Sequence, residues 1–180
     1  MMQTQAGPRK KSFWREALGY AGSLLFAVVV AFLVITFVFQ FIMVDGESMI
    51  NTLQDGERMF VTKYQYYFTA PQRSDVVVCH FPDRGSQYFV KRIVGIPGDT
   101  VAVENGRLYR NGEAVEEDYI DYPPNYRMSE TTVPADSYFV LGDNRANSND
   151  SHVIGPLKRE QIVGKVRAIV WPLASWRAIH

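Results

Sequence analysis

The chain has 180 residues with 19 basic and 19 acidic side chains, so its formal net charge at pH 7 is zero. A neutral chain without a basic patch and interleaved aromatic residues lacks the signature of nucleic-acid binding, and no such partner is predicted. The single cysteine, Cys79, excludes an intramolecular disulfide and a cysteine-based zinc site, and His80, His152 and His180 lack metal-ligand spacing. Neither a metal nor another cofactor is therefore predicted.

The first predicted element is a long apolar helix. Residues 17–44 contain no charged side chain, and a helix needs only about 20 apolar residues to cross a bilayer core. The run is longer than the apolar region of a cleaved secretory signal, which has about 7–15 residues. No other helical pattern in the sequence would cover it as a buried core helix. We therefore predict a retained transmembrane helix over residues 17–44, with the lipid bilayer as its partner.

Charged residues on either side of this helix indicate its orientation. Basic residues precede it and acidic residues follow it: Arg9, Lys10, Lys11 and Arg15 before, Asp45 and Glu47 after. The positive-inside rule places the basic flank in the cytoplasm. The prediction is a single-pass protein of the cell membrane, with residues 1–16 as a cytoplasmic tail and residues 45–180 as an extracytoplasmic domain.

The rest of the chain has the pattern of short β-strands. Strands are predicted at eight places, namely 58–64, 75–81, 87–96, 100–103, 107–110, 113–115, 137–141 and 163–171. The pairs Asn105-Gly106 and Asn111-Gly112 predict a meander, because both residue types tolerate positive φ. Residues 116–136 contain Pro123-Pro124 and no clear period, and are predicted to be a long connection or an inserted lobe. The predicted fold class is mostly β, a partly closed antiparallel sheet with one N-terminal transmembrane helix.

Two residues in this domain can carry nucleophilic chemistry without a histidine. Ser48 follows the predicted helix, and a serine hydroxyl becomes a nucleophile when a neighbouring base takes its proton. Lys91 lies on a predicted strand, with Phe89 and Ile93 on the same face. Burial among such neighbours lowers the pKa of a lysine and can make its neutral amine a general base. The alternative is a turn serine and an exposed lysine on an edge strand.

A polar segment, residues 142–151, follows a predicted strand directly. Its side chains include Asp143, Arg145, Ser148 and Asp150. Ser148 can hydrogen-bond a neutral lysine amine and orient it, and an Asp/Arg pair within the segment can brace the loop. The alternative is a solvated loop stabilised by Asx turns.

The order of these segments resembles the conserved boxes of the type I signal peptidases of peptidase family S26. Residues 46–53 resemble the serine box, S-M-x-P-T-L, and residues 73–78 are similar to R-G-D-V-V-V. Residues 91–99 resemble the lysine box, K-R-x-x-G-x-P-G-D, and residues 142–151 resemble G-D-N-R-x-x-S-x-D-S. Lysine, and not histidine, at position 91 of the lysine box is typical of the bacterial branch, and one N-terminal span resembles the single-span form common in Gram-positive bacteria.

This resemblance implies a membrane-anchored serine endopeptidase that removes N-terminal signal peptides from secreted pre-proteins. Ser48 is then the nucleophile and Lys91 the general base, with Met49 lining the pocket for the small residue before the cut. The resemblance implies that Ser148 orients the lysine and that three further residues support the site, namely Asp143, Arg145 and Asp150. Signal peptides are the implied substrates, and the protein translocation channel is a candidate partner.

Four positions depart from the family pattern. Asn51 stands where proline is usual, Ser74 replaces a glycine, and His152 replaces a frequent arginine. Gly46 has no hydroxyl to donate to an oxyanion, whereas some members of the family have a serine there. Backbone N–H groups, including that of Ser48, would have to form the oxyanion hole.

Two other functions are compatible with parts of this pattern. One is a self-cleaving Ser/Lys protease of the repressor type, but those proteins are cytoplasmic and lack a span such as residues 17–44. The other is a membrane-anchored β domain that binds or scaffolds without activity. The presence of both Ser48 and Lys91 argues against it.

Overall fold

The computed structural model describes residues 13–82 and 84–179, and the described chain divides after Phe37 into an N-terminal helix and a β-rich unit. Most of the predicted cytoplasmic tail, including Arg9, Lys10 and Lys11, lies outside the described residues, as does His180. The orientation predicted from those charges is therefore not addressed by the fold.

Helix α1 spans Phe13–Phe37. Its segment Glu16–Phe37 has 22 residues and is apolar enough to cross a membrane. At about 1.5 Å per residue it is roughly 33 Å long, which matches the ~30 Å hydrocarbon core of a bilayer. Large apolar side chains such as Leu18, Phe26 and Phe32 are exposed. By length and composition this helix is suited to a lipid environment.

The helix ends earlier than the predicted boundary at Val44. Strand β1 (Phe39–Met43) follows it and pairs antiparallel with strand β2 (Arg58–Thr62). The rings of Phe39, Phe41 and Phe60 pack together across this pair. The apolar character of residues 39–43 therefore belongs to a sheet. An uninterrupted apolar run does not by itself distinguish a strand from a continuing helix.

Ten further strands complete the β-rich unit in the described ranges. In chain order they are β3 (Val76–Cys79), β4 (Phe89–Gly95), β5 (Thr100–Glu104), β6 (Arg107–Arg110), β7 (Glu113–Ala114), β8 (Met128–Thr132), β9 (Ser137–Leu141), β10 (Leu157–Lys158), β11 (Ile162–Trp171) and β12 (Arg177–Ala178). Two short helices, α2 (Gln65–Phe68) and α3 (Ser151–Ile154), and two 3-10 turns at Arg159–Gln161 and Leu173–Ser175 lie between them.

The larger sheet is antiparallel and curled, as the predicted fold class requires. Its strand order in the described residues is β1-β2-β11-β3-β4-β9-β10, and β12 pairs with β11. Strand β11 pairs with β2, β3 and β12, and its register shifts between Val166 and Ala168 and between Ile169 and Trp171. Such bulges increase the local twist and bend a sheet. The predicted mostly β fold is confirmed.

Both faces of the larger sheet are covered by apolar side chains. Val76 and Val78 belong to one buried cluster, whereas Val77 and Cys79 belong to another. Because successive side chains of a strand point to opposite faces, strand β3 contributes to two cores. A strand that is buried on both faces has a continuous run of apolar residues in its sequence. Residues 76–79 form such a run.

The smaller sheet has the order β7-β6-β5-β8. Asn105 and Asn111 have φ values of 51° and 54° and turn the chain between its first three strands, as the Asn-Gly pairs predicted. Strand β8 pairs with β5 and lies in residues 116–136, where no strand was predicted. Its sequence, Met-Ser-Glu-Thr-Thr, is mostly polar and half exposed, so it lacks an apolar signal.

A third apolar cluster joins the two sheets. Val94 and Phe139 of the larger sheet pack with Val101 and Leu108 of the smaller one. At Gly95 a Cβ would lie 2.7 Å from a methyl group of Val101, so only glycine permits this close approach. The smaller sheet is therefore held next to strand β4, which carries Lys91.

Candidate active site

Ser48 lies in the loop between β1 and β2 and is half-buried. The loop is held by a residue distant in sequence, because the Asn144 N–H donates to the Ser48 carbonyl at 3.1 Å. The Asn144 side-chain amide also donates to the Glu47 carbonyl at 3.2 Å. The backbone of Ser48 is thus fixed by the polar segment that follows strand β9.

Lys91 lies in strand β4, opposite Val77 of strand β3. Its side chain is 2% exposed, and its Nζ lies 2.6 Å from Ser48 Oγ. The fold therefore brings together two residues that are 43 positions apart in the sequence. A distance of 2.6 Å is short for a hydrogen bond between nitrogen and oxygen.

Burial lowers the pKa of Lys91 below its ordinary value, because desolvation disfavours the ammonium form. The carboxylates of Asp150 and Asp143 act in the opposite direction and moderate this shift. The net direction favours a neutral amine, which can accept the proton of a hydroxyl group.

Asp143 joins the polar segment to strand β4 through Arg92. The Arg92 guanidinium donates from Nε at 2.9 Å and from Nη2 at 2.8 Å to the two oxygens of this carboxylate. Both side chains are buried, and the Thr52 hydroxyl donates to the same carboxylate. A bidentate charged pair of this kind is strong and directional. It holds together the residue next to Lys91, the polar segment and the serine loop.

Arg145 is paired with a residue outside its own loop. The sequence suggested that it would pair with an aspartate of residues 142–151, but the guanidinium donates to both oxygens of Glu117, at 2.5 and 2.6 Å. Its Nε donates to the Gly142 carbonyl at 2.9 Å. Glu117 belongs to the connection between β7 and β8, so this segment contacts the site.

Asp150 holds the start and the end of the polar segment. Its carboxylate accepts a hydrogen bond from the Gly142 N–H at 2.9 Å and caps helix α3 through the His152 N–H at 3.2 Å. The His152 ring nitrogen Nδ1 lies 2.7 Å from the same carboxylate, and the ring stacks on Tyr126. His152 therefore contacts Asp150 from the position where the family frequently has arginine.

Ser148 lies beside the main chain of Ser48. A Cβ on Gly142 would lie 2.3 Å from Ser148 Oγ and 2.4 Å from the Ser48 carbonyl oxygen, so only glycine fits between them. Ser148 Oγ is buried and has no hydrogen-bond partner in residues 13–82 and 84–179. The hydrogen bond from Ser148 to Lys91 that the sequence suggested is thus not present in this structure.

A cleft of about 260 Å³ opens beside Ser48 and Lys91. Its other walls include apolar side chains from β1 and from the start of β4, such as Ile42 and Phe89. Met49, which is buried, also lines the cleft and packs in the apolar cluster beneath it. The cleft therefore combines an apolar wall with the serine hydroxyl.

Two of the positions that depart from the family pattern have local explanations. Ser74 has a φ of 69°, a left-handed conformation that favours glycine. The Asn51 side chain donates to the carboxylate of Asp121, a contact that proline could not make.

The backbone N–H groups of Gly46 and Ser48 differ in their hydrogen bonds. The Gly46 N–H donates to the Asp55 carboxylate at 2.8 Å. By contrast, the Ser48 N–H donates to no group in the described part of the chain.

Several residues of the site were not identified from the sequence. Thr52, Glu117 and Tyr119 contact the buried arginines. Thr52 is the threonine of the serine box, but no role was assigned to it. Glu117 and Tyr119 lie in residues 116–136, which have no clear period, so no sequence signal distinguishes them. Among the described residues, no group of three or more His, Cys, Asp or Glu side chains is arranged to hold a metal ion.

The β-rich unit has a cleft with an apolar wall beside a serine–lysine contact. These features are typical of a serine hydrolase with a β fold. The protein family described as "Signal peptidase, peptidase S26" matches residues 17–171, which is most of the chain. The chain therefore belongs to the S26 signal peptidase family, and it is a serine endopeptidase of the signal peptidase I type. The resemblance seen in the sequence is confirmed.

Several relatives cover nearly the whole chain, including the following two. The "Probable signal peptidase I-1" of Synechocystis sp. is 41% identical, over 97% of this chain and 91% of the relative. The "Signal peptidase I S" of Bacillus subtilis is 36% identical, over 98% of both chains. A solved structure of a signal peptidase I from Enterococcus faecalis is 34% identical, with a TM-score of 0.47; the match covers 54% of this chain and 97% of that one.

Proposed function

We propose that this protein is a membrane-anchored signal peptidase I that uses Ser48 as nucleophile and Lys91 as general base. The observation that carries the proposal is the distance of 2.6 Å between Ser48 Oγ and Lys91 Nζ. Burial, which lowers the lysine pKa, supports the role of base. The substrates are the N-terminal signal peptides of secreted pre-proteins.

The reaction is an acyl transfer in two halves. Lys91 Nζ accepts the proton of Ser48 as Oγ attacks the scissile carbonyl carbon. The carbon–nitrogen bond then breaks, and the lysine ammonium protonates the leaving amine. This leaves the signal peptide bound to Ser48 as an ester. Water, deprotonated by the same amine, hydrolyses the ester and restores the serine hydroxyl.

The negative oxygen of each tetrahedral intermediate needs hydrogen-bond donors. The Ser48 N–H is suited to this role, since it has no acceptor in the described chain. The Gly46 N–H is already bonded to Asp55, which makes it a weaker candidate. Gly46 itself lacks the hydroxyl that some members of the family have at this position.

The polar segment, residues 142–151, holds the Ser48 hydroxyl and the Lys91 amine in position relative to each other. Asp143, Arg145 and Asp150 support the site through the buried contacts described above. Ser148 is proposed to orient the lysine amine, because its Oγ is buried without a hydrogen-bond partner among the described residues and lies beside the Ser48 main chain.

The apolar cleft provides the binding site for the substrate residues before the cut. Met49 lines the pocket for the small side chain at the position next to the scissile bond. Helix α1 anchors the enzyme in the membrane, with the N-terminus cytoplasmic and residues 45–180 extracytoplasmic. Anchoring of enzyme and substrate in one bilayer raises their effective concentration. The protein translocation channel is a candidate partner of the enzyme in the membrane.

The decisive experiment is cleavage of a labelled pre-protein by the purified full-length enzyme in detergent. We expect Ser48→Ala to abolish cleavage without lowering the melting temperature. Ser129→Ala, on the exposed strand β8, is a matched control and should cleave at the normal rate. Substantial residual cleavage by Ser48→Ala would exclude Ser48 as the nucleophile.

A further inference from the structure

A short part of the connection between β7 and β8 contacts three separate parts of the active site. We call it the strap and define it as residues 117–121. Glu117 pairs with Arg145, the Tyr119 ring lies over the Arg92 guanidinium at 4.0 Å, and Asp121 accepts from Asn51. The three contacted residues lie in the polar segment, in strand β4 and in the serine loop.

The side chains of Glu117 and Arg145 form a buried ion pair. The side chain of Arg145 is 0% exposed and that of Glu117 is 4% exposed. Glu117 makes two hydrogen bonds to the guanidinium. Removing one partner of a buried pair leaves an uncompensated charge, which is strongly unfavourable. The position of Arg145 therefore depends on Glu117.

Arg145 transmits this restraint to the nucleophile. Its Nε donates to the Gly142 carbonyl, so the guanidinium closes the turn that contains Asn144. Asn144 in turn donates to the carbonyls of Ser48 and Glu47. A continuous series of contacts thus leads from Glu117 to the main chain of the residue that attacks the substrate.

Tyr119 acts on the second buried arginine. Its ring covers Arg92, the neighbour of Lys91 in strand β4, at a distance typical of a cation–π contact. Its hydroxyl donates to Glu117. Burial and the nearby Glu117 carboxylate raise the pKa of this phenol, which stays neutral. The two strap residues therefore restrain both guanidinium groups.

We propose that Glu117 is a positioning residue for Ser48, acting through Arg145, and that Tyr119 assists it through Arg92. This inference rests on the proposed function of Ser48. No strap residue lines the cleft beside Ser48. The strap thus affects the rate of the chemical step and leaves substrate binding unchanged.

The test compares Glu117→Gln with wild-type enzyme in peptide cleavage. We expect kcat to fall about 10- to 100-fold, because small displacements of reacting groups cost this much, and KM to stay within about twofold. Glu117→Asp keeps the charge and should recover most of the lost rate. The matched control is Glu104→Gln, in the exposed pair with Arg127, which should leave kcat unchanged.

Melting curves establish that each variant is folded at the assay temperature. Tyr119→Leu removes the ring over Arg92 without leaving a charge unpaired. If Glu117→Gln does not fold, the cleavage kinetics of Tyr119→Leu test the strap proposal instead. Tyr119→Leu too should lower kcat and leave KM unchanged. A normal kcat in a folded Glu117→Gln or Tyr119→Leu enzyme, or a change in KM alone, would overturn the strap proposal. The proposed function fails separately, if Ser48→Ala retains cleavage.

Discussion

At the scale of single residues, Lys91 can act in catalysis only through its ability to lose a proton. We expect Lys91→Arg to be as inactive as Lys91→Ala, because an arginine guanidinium does not deprotonate in proteins. Cleavage of a labelled pre-protein measures both variants. Turnover by the arginine enzyme at the wild-type rate would show that only the positive charge matters.

The pH dependence of cleavage follows from the same residue. The neutral amine is the active form, so kcat/KM should rise with pH through the pKa of Lys91 and fall as the pH drops below it. Burial places this midpoint below the value of about 10.4 for an exposed lysine. The Asp150 carboxylate raises this pKa. Asp150→Asn should therefore move the acid limb to lower pH, and an unchanged or higher midpoint would contradict the assignment.

At the scale of elements, the pair of Arg92 and Asp143 joins strand β4 to the polar segment. Its side chains are 4% and 0% exposed, so Arg92→Met leaves a buried carboxylate without its partner. We expect a loss of about 3–5 kcal/mol in the free energy of unfolding. Urea unfolding of the full-length enzyme in detergent, followed by tryptophan fluorescence, measures it.

The matched control for this prediction is Arg127→Met. Arg127 and Glu104 form an ion pair at a similar distance, 2.8 Å, but their side chains are 79% and 49% exposed. Such a pair contributes only about 0–1 kcal/mol. Equal losses in the two variants would mean that burial is not the cause of the difference.

At the scale of the whole molecule, function requires that the β-rich unit be on the side where exported signal peptides arrive. Residues 9–15 carry the basic residues that precede the uncharged run beginning at Ala17, which predicts an N-terminus in the cytoplasm. External protease added to intact cells or protoplasts should therefore digest residues 45–180. If that unit is digested only after the membrane is broken, the topology is inverted.

Much of the fold follows from local patterns. The Asn-Gly turns, the β-branched run at β3 and the strand that carries Lys91 were predicted because turn chemistry and apolar runs are local properties. Strand β1 was assigned to the helix because its apolar run continues that of α1. Strand β8 was missed because its exposed, polar residues pair with β5 without an apolar face.

By itself, the sequence determined the apolar helix, the mostly β class, and the candidates Ser48 and Lys91 with their supporting segment. Only the tertiary structure decided which charges meet: Arg92 with Asp143, and Arg145 with Glu117 instead of an aspartate of its own loop. Within the residues that the structure describes, it also left Ser148 Oγ without a hydrogen-bond partner. The physical reason is that a buried charged side chain needs a side chain of opposite charge close to it in space. The separation of two residues along the chain does not predict whether they are close in the folded structure.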